Sequence, residues 1–271
     1  MKNIAHLFVK NILSALLMGC ILLVSNSCKN KVIPKILANK IIWNSSNEHE
    51  DYNFCADNSN LGKSQSPINI DFAKVDTPLP LLPAIIFNYA STETEIINKG
   101  TTLEFEYNAK GSIEVNGKTY LFNQMHTHTH SEHHMKGDSF DMEIHFVHTD
   151  TSSKWNNLAV IGVFVKAQTG AINPLLDSFS RHLPPTGDTT FVKNLIYSPL
   201  QLMPPNKSYY TYHGSLTAHE CTPSVTWVVM KNITFATPEQ IEAFKKLEGI
   251  NNRPIQPLGT RTIQYYNDSK N

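Results

Sequence analysis

Short apolar stretches recur along this chain, and polar, turn-forming residues separate these stretches. Short apolar runs bounded by turn signals are typical of β-strands. Asn116-Gly117, in the middle of one such stretch, is a strong signal for a tight hairpin turn. The pattern predicts strands at 85–90, 101–107, 158–167 and 224–235, with a hairpin at 112–122.

Two segments favour helices, and both are short. The first is 173–182. The second, 237–247, has Thr237 as its N-cap, Pro238 at its first position and Gly249 just beyond its end. The chain is therefore predicted to be α/β but mainly β, with a few short helices.

Length and charge limit the classes of function. The chain has 271 residues, of which 41% are hydrophobic, so it can bury one large core as a single domain. Its 23 basic and 23 acidic residues give a formal net charge of zero. No long-range electrostatic field therefore favours binding to nucleic acid or to an acidic partner. A small neutral or anionic substrate is as compatible with this charge balance as any other ligand.

The first 28 residues have the pattern of a signal peptide. Lys2 and Lys10 precede an apolar run from Ile12 to Val24, which is shorter than the roughly 20 residues that a membrane helix needs. Cys20 and Cys28 each resemble the acylated cysteine of a bacterial lipoprotein. The residues before Cys20 fit that pattern better, whereas the cysteine count favours Cys28 as the lipid anchor.

This interpretation divides the chain into a lipoprotein-like signal peptide at 1–28, a basic tether at 29–40 and a folded domain at 41–271. Export to the periplasm or cell envelope is expected. Cys55 and Cys221 then remain as a pair in an oxidising compartment. The alternative is ordinary secretion without acylation.

Seven of the twelve histidines lie in residues 120–148. His126 and His128 share one face of a predicted strand, and the turn that follows can bring a second strand with His145 back beside them. Three imidazoles around one divalent ion, with a fourth position open, is the coordination of catalytic zinc. The same run is also compatible with histidines that bind metal adventitiously or have no ligand role.

Eight separated motifs occur in the order found in the α-class carbonic anhydrases, and nearly all of residues 41–271 take part in the resemblance. The motifs are QSPINI (65–70), QMHTH (124–128), SEH (131–133), EIHFVH (143–148), LAVIGVF (158–164), YYTYHGSLT (209–217), VTW (225–227) and NNRPIQPL (251–258). The resemblance implies a single domain around a large, mostly antiparallel twisted central sheet.

The resemblance also implies a zinc enzyme with His126, His128 and His145 as the metal ligands. The reaction would be the reversible hydration of carbon dioxide to bicarbonate and a proton by zinc-bound hydroxide. Thr217 is expected to accept a hydrogen bond from the zinc-bound hydroxide and to donate a hydrogen bond to Glu132. These two hydrogen bonds would orient the attacking oxygen.

Further site residues follow from the same resemblance. The outer ring nitrogens of the ligands would be held by Gln124, Glu143 and a backbone carbonyl at Asn251. The apolar pocket for carbon dioxide would be formed by Val147, Val160, Leu216 and Trp227. A disulfide would join Cys55 to Cys221.

The chain departs from the family at the position of proton transfer. Fast members carry a shuttle histidine where this chain has Thr101, whose hydroxyl has no pKa near 7. Lys99 and Glu104 replace amides that order the water chain, and Met125 and Thr127 replace two aromatic neighbours of the ligands. Slow or buffer-assisted proton transfer is expected. Three other histidines are candidates for the shuttle: His130, His134 and His219.

Other functions stay open at this point. One alternative is a non-catalytic carbonic-anhydrase-like binding protein, a type that usually loses a ligand histidine. Another is a periplasmic zinc-binding protein, which would hold several ions weakly, and a third is a zinc hydrolase with another substrate. The expected partners are zinc and a small molecule, carbon dioxide or bicarbonate. We expect no nucleic acid, and contact with a membrane only through the lipid anchor.

Overall fold

The computed structural model describes residues 63–76, 81–150, 157–218 and 221–268. The predicted signal peptide and tether lie outside these residues, and so do three of the four cysteines, including Cys28 and Cys55. No helix in the described part of the chain is both long and apolar enough to cross a membrane.

Fifteen strands and two α-helices are found in the described residues. In chain order the strands are β1 (Asn69–Ile70), β2 (Val75–Asp76), β3 (Ile86–Tyr89), β4 (Thr92–Asn98), β5 (Leu103–Tyr107), β6 (Gly111–Val115), β7 (Lys118–His128), β8 (His134–Met135), β9 (Met142–Asp150), β10 (Leu158–Ala167), β11 (Thr189–Tyr197), β12 (Tyr209–Gly214), β13 (Val225–Met230), β14 (Thr234–Ala236) and β15 (Ile263–Tyr266). The α-helices are α1 (Pro174–Ser180) and α2 (Pro238–Glu248), and 3-10 helices span Phe72–Lys74 and Pro199–Leu202.

Thirteen of these strands form one twisted mixed sheet. Its order is β11-β4-β5-β7-β9-β10-β13-β12-β15-β2, while β14 pairs with β10, β6 with β7, and β3 with β6. In the described part of this sheet, the parallel pairs are β10 with β13, β10 with β14, and β15 with β2. The predicted fold class, mainly β around a large and mostly antiparallel sheet, is confirmed.

Most of the predicted elements are found. The strand predicted at 158–167 coincides with β10, and Asn116-Gly117 joins β6 to β7 with both residues at positive φ. The predicted helical segment 173–182 contains α1, and α2 coincides with the segment 237–247 except that it begins one residue later, at Pro238, and ends one residue later, at Glu248. The Thr237 side chain caps α2 by accepting a hydrogen bond from the Gln240 amide.

One strand prediction is wrong. Residues 224–235 do not form one strand, because a turn at 231–233 separates β13 from β14, and the two pair with different parts of β10. The pattern of apolar stretches gives no prediction for β11. Lys193 and Asn194 interrupt its apolar positions, Asn194 has a positive φ, and the pairing with β4 shifts register there.

The sheet separates two apolar clusters. The larger cluster lies on the face covered by α1 and α2, and includes Phe146 of β9 and Phe244 of α2. The smaller cluster lies on the other face and includes Val147 and Trp227. Consecutive residues of β9 therefore alternate between the helix-covered face and a second face, which carries the candidate site.

Candidate metal centre

A β-bulge in β7 determines which face its histidines occupy. Tyr120 and Phe122 belong to the larger apolar cluster, and so does Met125 three residues later. The pairing of β7 with β9 shifts by one residue between Phe122 and Gln124, and such a bulge changes the parity of the side-chain alternation. Three polar residues at alternate positions therefore turn toward the opposite face: Gln124, His126 and His128.

Three histidines converge on that face. His126 and His128 come from β7, and His145 of β9 is the cross-strand partner of His126. Their ring centroids are 4.7, 5.0 and 5.2 Å apart, and one ring nitrogen of each lies within 4.8 Å of the others. Because Zn–N bonds are about 2.0–2.1 Å long, three imidazoles at this spacing can share one zinc ion with small adjustments.

The two β7 histidines are oriented through their Nδ1 atoms. Nδ1 of His126 lies 3.0 Å from Oε1 of Gln124. Nδ1 of His128 lies 3.2 Å from the backbone carbonyl oxygen of Asn251. Nε2 of each ring is thereby left to face the shared space, and that of His128 is buried with no hydrogen-bond partner in the described residues.

His145 is oriented in the opposite sense by Glu143. Nε2 of His145 lies 3.0 Å from Oε1 of Glu143, close enough for an ion pair but not aligned as a hydrogen bond. Because Nε2 faces Glu143, Nδ1 of His145 faces the other two rings. Oε1 of Glu143 also contacts Nδ1 of His133 at 2.8 Å, and Oε2 accepts hydrogen bonds from the amides of Glu132 and His133. Burial alone would raise the pKa of Glu143, but the charges of His133 and His145 hold it well below its usual range.

His133 extends this network to another part of the chain. Its Nε2 lies 2.7 Å from the hydroxyl of Tyr212, which donates a hydrogen bond to Oγ of Ser66 at 2.8 Å. Ser66 Oγ also accepts a hydrogen bond from the amide of Ser215 at 3.1 Å. The network therefore joins a candidate ligand to the loop that carries Thr217.

The sequence reasoning assigned no role to three members of this network, His133, Tyr212 and Ser66. Each lies within one of the matched motifs, so the signal was present in the sequence. A motif match, however, does not show which distant side chains touch. That information depends on the fold.

Glu132 reaches the centre, but the hydrogen bond predicted from Thr217 is not formed within the described residues. Oε1 of Glu132 accepts a hydrogen bond from the amide of Arg253 at 2.9 Å, and the buried Oε2 has no hydrogen-bond partner. Oε2 lies 3.7 Å from Nε2 of His128 and 3.9 Å from Nδ1 of His145. This oxygen therefore faces two of the candidate ligand nitrogens.

The residues predicted to form the apolar pocket lie together beside the histidines. Val160 is the cross-strand partner of both Val147 and Trp227. These three residues belong to the smaller apolar cluster, and Leu216 packs against it. The Trp227 ring centroid lies 4.9 Å from that of His145, so apolar surface adjoins the candidate metal position.

A buried ion pair stands where the resemblance led us to expect neutral amides. Nζ of Lys99 lies 2.7 Å from Oε2 of Glu104, and the two side chains are 11% and 5% exposed. Glu104 is the cross-strand partner of His126. Burial raises the pKa of Glu104, and Lys99 opposes that shift.

The carbonyl of Thr101, in the turn before β5, accepts a hydrogen bond from Nδ2 of Asn251 at 2.8 Å.

The electrostatic environment favours neutral imidazoles on β7. Burial lowers the pKa of His126 and of His128, and the positive charges around His126 lower its pKa further. For His145, burial acts in the same direction, but Glu143 raises the pKa overall. Since a metal binds the neutral imidazole, His126 and His128 are ready to act as ligands at neutral pH.

Some predicted features extend beyond the described residues. Cys221 is buried, and its carbonyl accepts a hydrogen bond from Nε2 of Gln65 at 3.0 Å. Its predicted disulfide partner Cys55 lies outside those residues, so the pairing stays a prediction. The candidate shuttle His219 lies outside them as well.

Comparison with known proteins agrees with this geometry. Residues 43–267 match the family model for eukaryotic-type carbonic anhydrase. A carbonic anhydrase of Neisseria gonorrhoeae is 36% identical over 219 residues, which cover 80% of this chain and 81% of the relative. The α-carbonic anhydrase of Thermovibrio ammonificans, solved with the inhibitor sulfanilamide, is 36% identical and gives a TM-score of 0.71, covering 79% of this chain and 90% of that one.

Dioscorin, whose solved structure contains ascorbate, is also similar. It is 28% identical to this chain with a TM-score of 0.68, and the match covers 78% of this chain and 88% of dioscorin. The sheet, the three converging histidines and these likenesses lead to one conclusion. The chain belongs to the α-type, or eukaryotic-type, carbonic anhydrase family, whose enzymes hydrate carbon dioxide.

Gly162 provides a direct test of how Glu143 positions His145. Gly162 is the cross-strand partner of His145, and a Cβ atom added there would lie 2.6 Å from Oε1 of Glu143. We expect Gly162→Ala to displace this carboxylate and to weaken zinc binding by about 10–100-fold, as changes behind metal-bound histidines do. Zinc affinity can be measured by competition with a chromophoric chelator.

Gly111→Ala is the matched control. Its added Cβ would lie 2.7 Å from Cε1 of Tyr107, away from the histidines. Both variants should lose about 1–3 kcal/mol of stability through overpacking, whereas Gly111→Ala should keep the zinc affinity. Equal zinc affinities for the two variants would show that Glu143 does not set the position of His145.

Proposed function

We propose that this chain catalyses the zinc-dependent, reversible hydration of carbon dioxide, with His126, His128 and His145 as the zinc ligands. The observation that carries the proposal is the convergence of three ring nitrogens within 4.8 Å of one another. Each ring also has its other nitrogen beside a fixed oxygen atom. An adventitious histidine tract would not need those outer contacts.

The donor set suits zinc. It contains three imidazole nitrogens, and beside them lies the buried Oε2 of Glu132, which has no hydrogen-bond partner in the described residues. In carbonic anhydrases, bound zinc lowers the pKa of a water molecule to about 7, a value that belongs to the family as a whole. The protein's own contribution is to hold the three rings and to exclude competing ligands.

Glu132 and Thr217 are proposed to control the orientation of the attacking oxygen. Oε2 of Glu132 is buried and available to accept a hydrogen bond, and Thr217 is a buried hydroxyl in the loop tied to Ser66 through Ser215. In the proposed arrangement the Thr217 hydroxyl donates a hydrogen bond to Oε2. A hydrogen bond to a buried carboxylate is strong enough to fix the hydroxyl, because an ionised acceptor roughly doubles its strength.

Carbon dioxide is proposed to bind against Val147, Val160, Leu216 and Trp227. A nonpolar substrate gains from an apolar wall, and a wall next to the histidines places its carbon close to the reacting oxygen. The same apolar wall binds charged bicarbonate only weakly. Product release is thereby favoured.

Proton transfer is proposed to be slow or dependent on buffer. Thr101 cannot carry a proton at neutral pH, and Lys99 and Glu104 bind each other instead of ordering a water chain. Export to the periplasm or cell envelope, with Cys28 as the lipid anchor, is also proposed from the N-terminal sequence.

A non-catalytic binding role is the second candidate, and the similarity to dioscorin supports it. The present chain keeps three converging histidines, and the outer nitrogen of each lies beside an oxygen atom. This arrangement favours carbon dioxide hydration over a non-catalytic binding role. A zinc-buffering protein would bind several ions and would not need Glu132 or Thr217.

The ligand assignment predicts the effect of His145→Ala. Wild-type protein should bind one zinc ion per chain and accelerate carbon dioxide hydration in a stopped-flow assay, whereas His145→Ala should lose zinc and all hydration above the buffer rate. His182→Ala, at an exposed histidine beyond α1, is the control and should retain both. Wild-type protein that binds one zinc without accelerating hydration would contradict the enzymatic proposal.

The missing shuttle predicts that the hydration rate depends on buffer. At pH 7 the rate should rise with imidazole concentration, because imidazole titrates close to neutral pH and can accept the proton that Thr101 cannot. Thr101→His should raise the rate at low buffer and flatten this dependence. A wild-type rate that does not change with imidazole would mean that another group of the chain already acts as the shuttle.

A further inference from the structure

Glu248, the last residue of α2, places a carboxyl group deep in the protein. The residue is 1% exposed. Its Oε2 accepts hydrogen bonds from the Thr127 hydroxyl at 2.9 Å and from the Leu103 amide at 3.4 Å. Its Oε1 is buried and has no hydrogen-bond partner in the described residues.

This position makes the carboxyl costly for folding. Burial raises the pKa of Glu248 to about 8 from its ordinary value of 4.5. The groups that face it are the Thr127 hydroxyl on β7, the Thr129 hydroxyl just beyond the end of β7 and the amide of Leu103 on β5, and none of these is charged. An apolar side chain would avoid this cost. A buried polar group that lowers stability and lies beside a candidate site is typical of a functional constraint.

The partner of Glu248 is the residue between two proposed zinc ligands. Thr127 separates His126 from His128, and its side chain points to the face opposite theirs. It occupies one of the two positions where the resemblance led us to expect an aromatic neighbour. An aromatic residue holds a strand by packing alone, whereas the Thr127 hydroxyl and the Glu248 carboxyl hold it by a hydrogen bond.

The strand needs support at this point. Pairing between β5 and β7 ends at Glu104 and His126, so no strand of the described residues pairs on that side with the β7 residues beyond His126. The segment that follows α2 takes its place. Nδ2 of Asn251 donates to the carbonyl of Thr127 at 3.1 Å, and the Thr129 hydroxyl donates to the carbonyl of Gly249 at 2.6 Å.

We propose that Glu248 is a positioning residue for the metal centre: its buried carboxyl fixes Thr127 and thereby sets the spacing of His126 and His128. This inference rests on the proposed function, because it concerns the geometry of the same zinc ligands. Glu248 acts through Thr127 and touches neither zinc nor substrate. The role requires a hydrogen-bonding group at this position but no charge.

The test compares the zinc affinities of Glu248→Met, Glu248→Gln and Glu242→Gln with that of the wild type, by chelator competition at pH 7. Methionine fills the space without hydrogen bonds, and we expect zinc binding to weaken by about tenfold. Glutamine keeps neutral hydrogen-bonding atoms and should restore the wild-type affinity. Glu242 is an exposed residue of the same helix, so its variant should bind zinc normally.

Stability measurements on the zinc-free proteins exclude a general loss of structure. The folded carboxyl keeps its proton to a higher pH than the unfolded one, so its contribution to stability is fully present below about pH 4.5 and is lost as the pH rises to about 8. Glu248→Met and Glu248→Gln should lose this pH dependence and remain folded at pH 7. Weaker zinc binding by a variant that is fully folded at the pH of the assay cannot result from unfolding.

A double variant examines the connection through Thr127. Thr127→Val should weaken zinc binding as Glu248→Met does, and the combination should be no weaker than either single change, because both remove the same hydrogen bond. Wild-type zinc affinity in Glu248→Met, or affinity in Glu248→Gln as low as in Glu248→Met, would overturn the inference. Failure of the wild type to bind zinc would instead overturn the proposed function.

Discussion

The buried carboxylate of Glu143 is the contact on which the metal centre depends. Its two oxygens touch His145, His133 and the amides of residues 132 and 133. One anionic group therefore orients a ligand and fixes the turn that carries Glu132. A carboxylate in a protein interior is stable only when its acceptor sites are filled, and here the turn at residues 132–133 and His145 of the same strand fill them. Gly162 belongs to the same constraint, since any side chain there would displace the carboxylate.

From this contact the network extends to distant parts of the chain. His133 leads through Tyr212 to Ser66, and Ser66 holds the loop of Thr217. Arg253 supplies the amide that holds Glu132. Segments separated by more than a hundred residues are thus joined by hydrogen bonds at one site. Rigid placement of this kind is what a preorganised catalytic centre requires, because groups already in place need no reorganisation during the reaction.

Local patterns predicted the regular parts of the fold, and motifs predicted the residues of the site. A short apolar run predicted β10, and capping chemistry predicted α2, because both signals depend on residues close in sequence. The interruption at Lys193 and Asn194 concealed β11, and the bulge before Gln124 has no signal in the sequence that we recognised. The contact between Glu248 and Thr127 joins residues 121 positions apart. A single sequence carries no record of such a pairing, whose signal appears only when the strands are placed side by side.

The departures from the family concern proton transfer and the support of the ligand strand, whereas the proposed ligands themselves are retained. X-ray absorption at the zinc K edge of the purified protein tests that claim most directly. The account predicts one zinc surrounded by three imidazole nitrogens and one further oxygen or nitrogen atom, at about 2.0–2.1 Å, in a four-coordinate shell. A sulfur ligand at about 2.3 Å, or a six-coordinate shell of oxygen atoms, would contradict it.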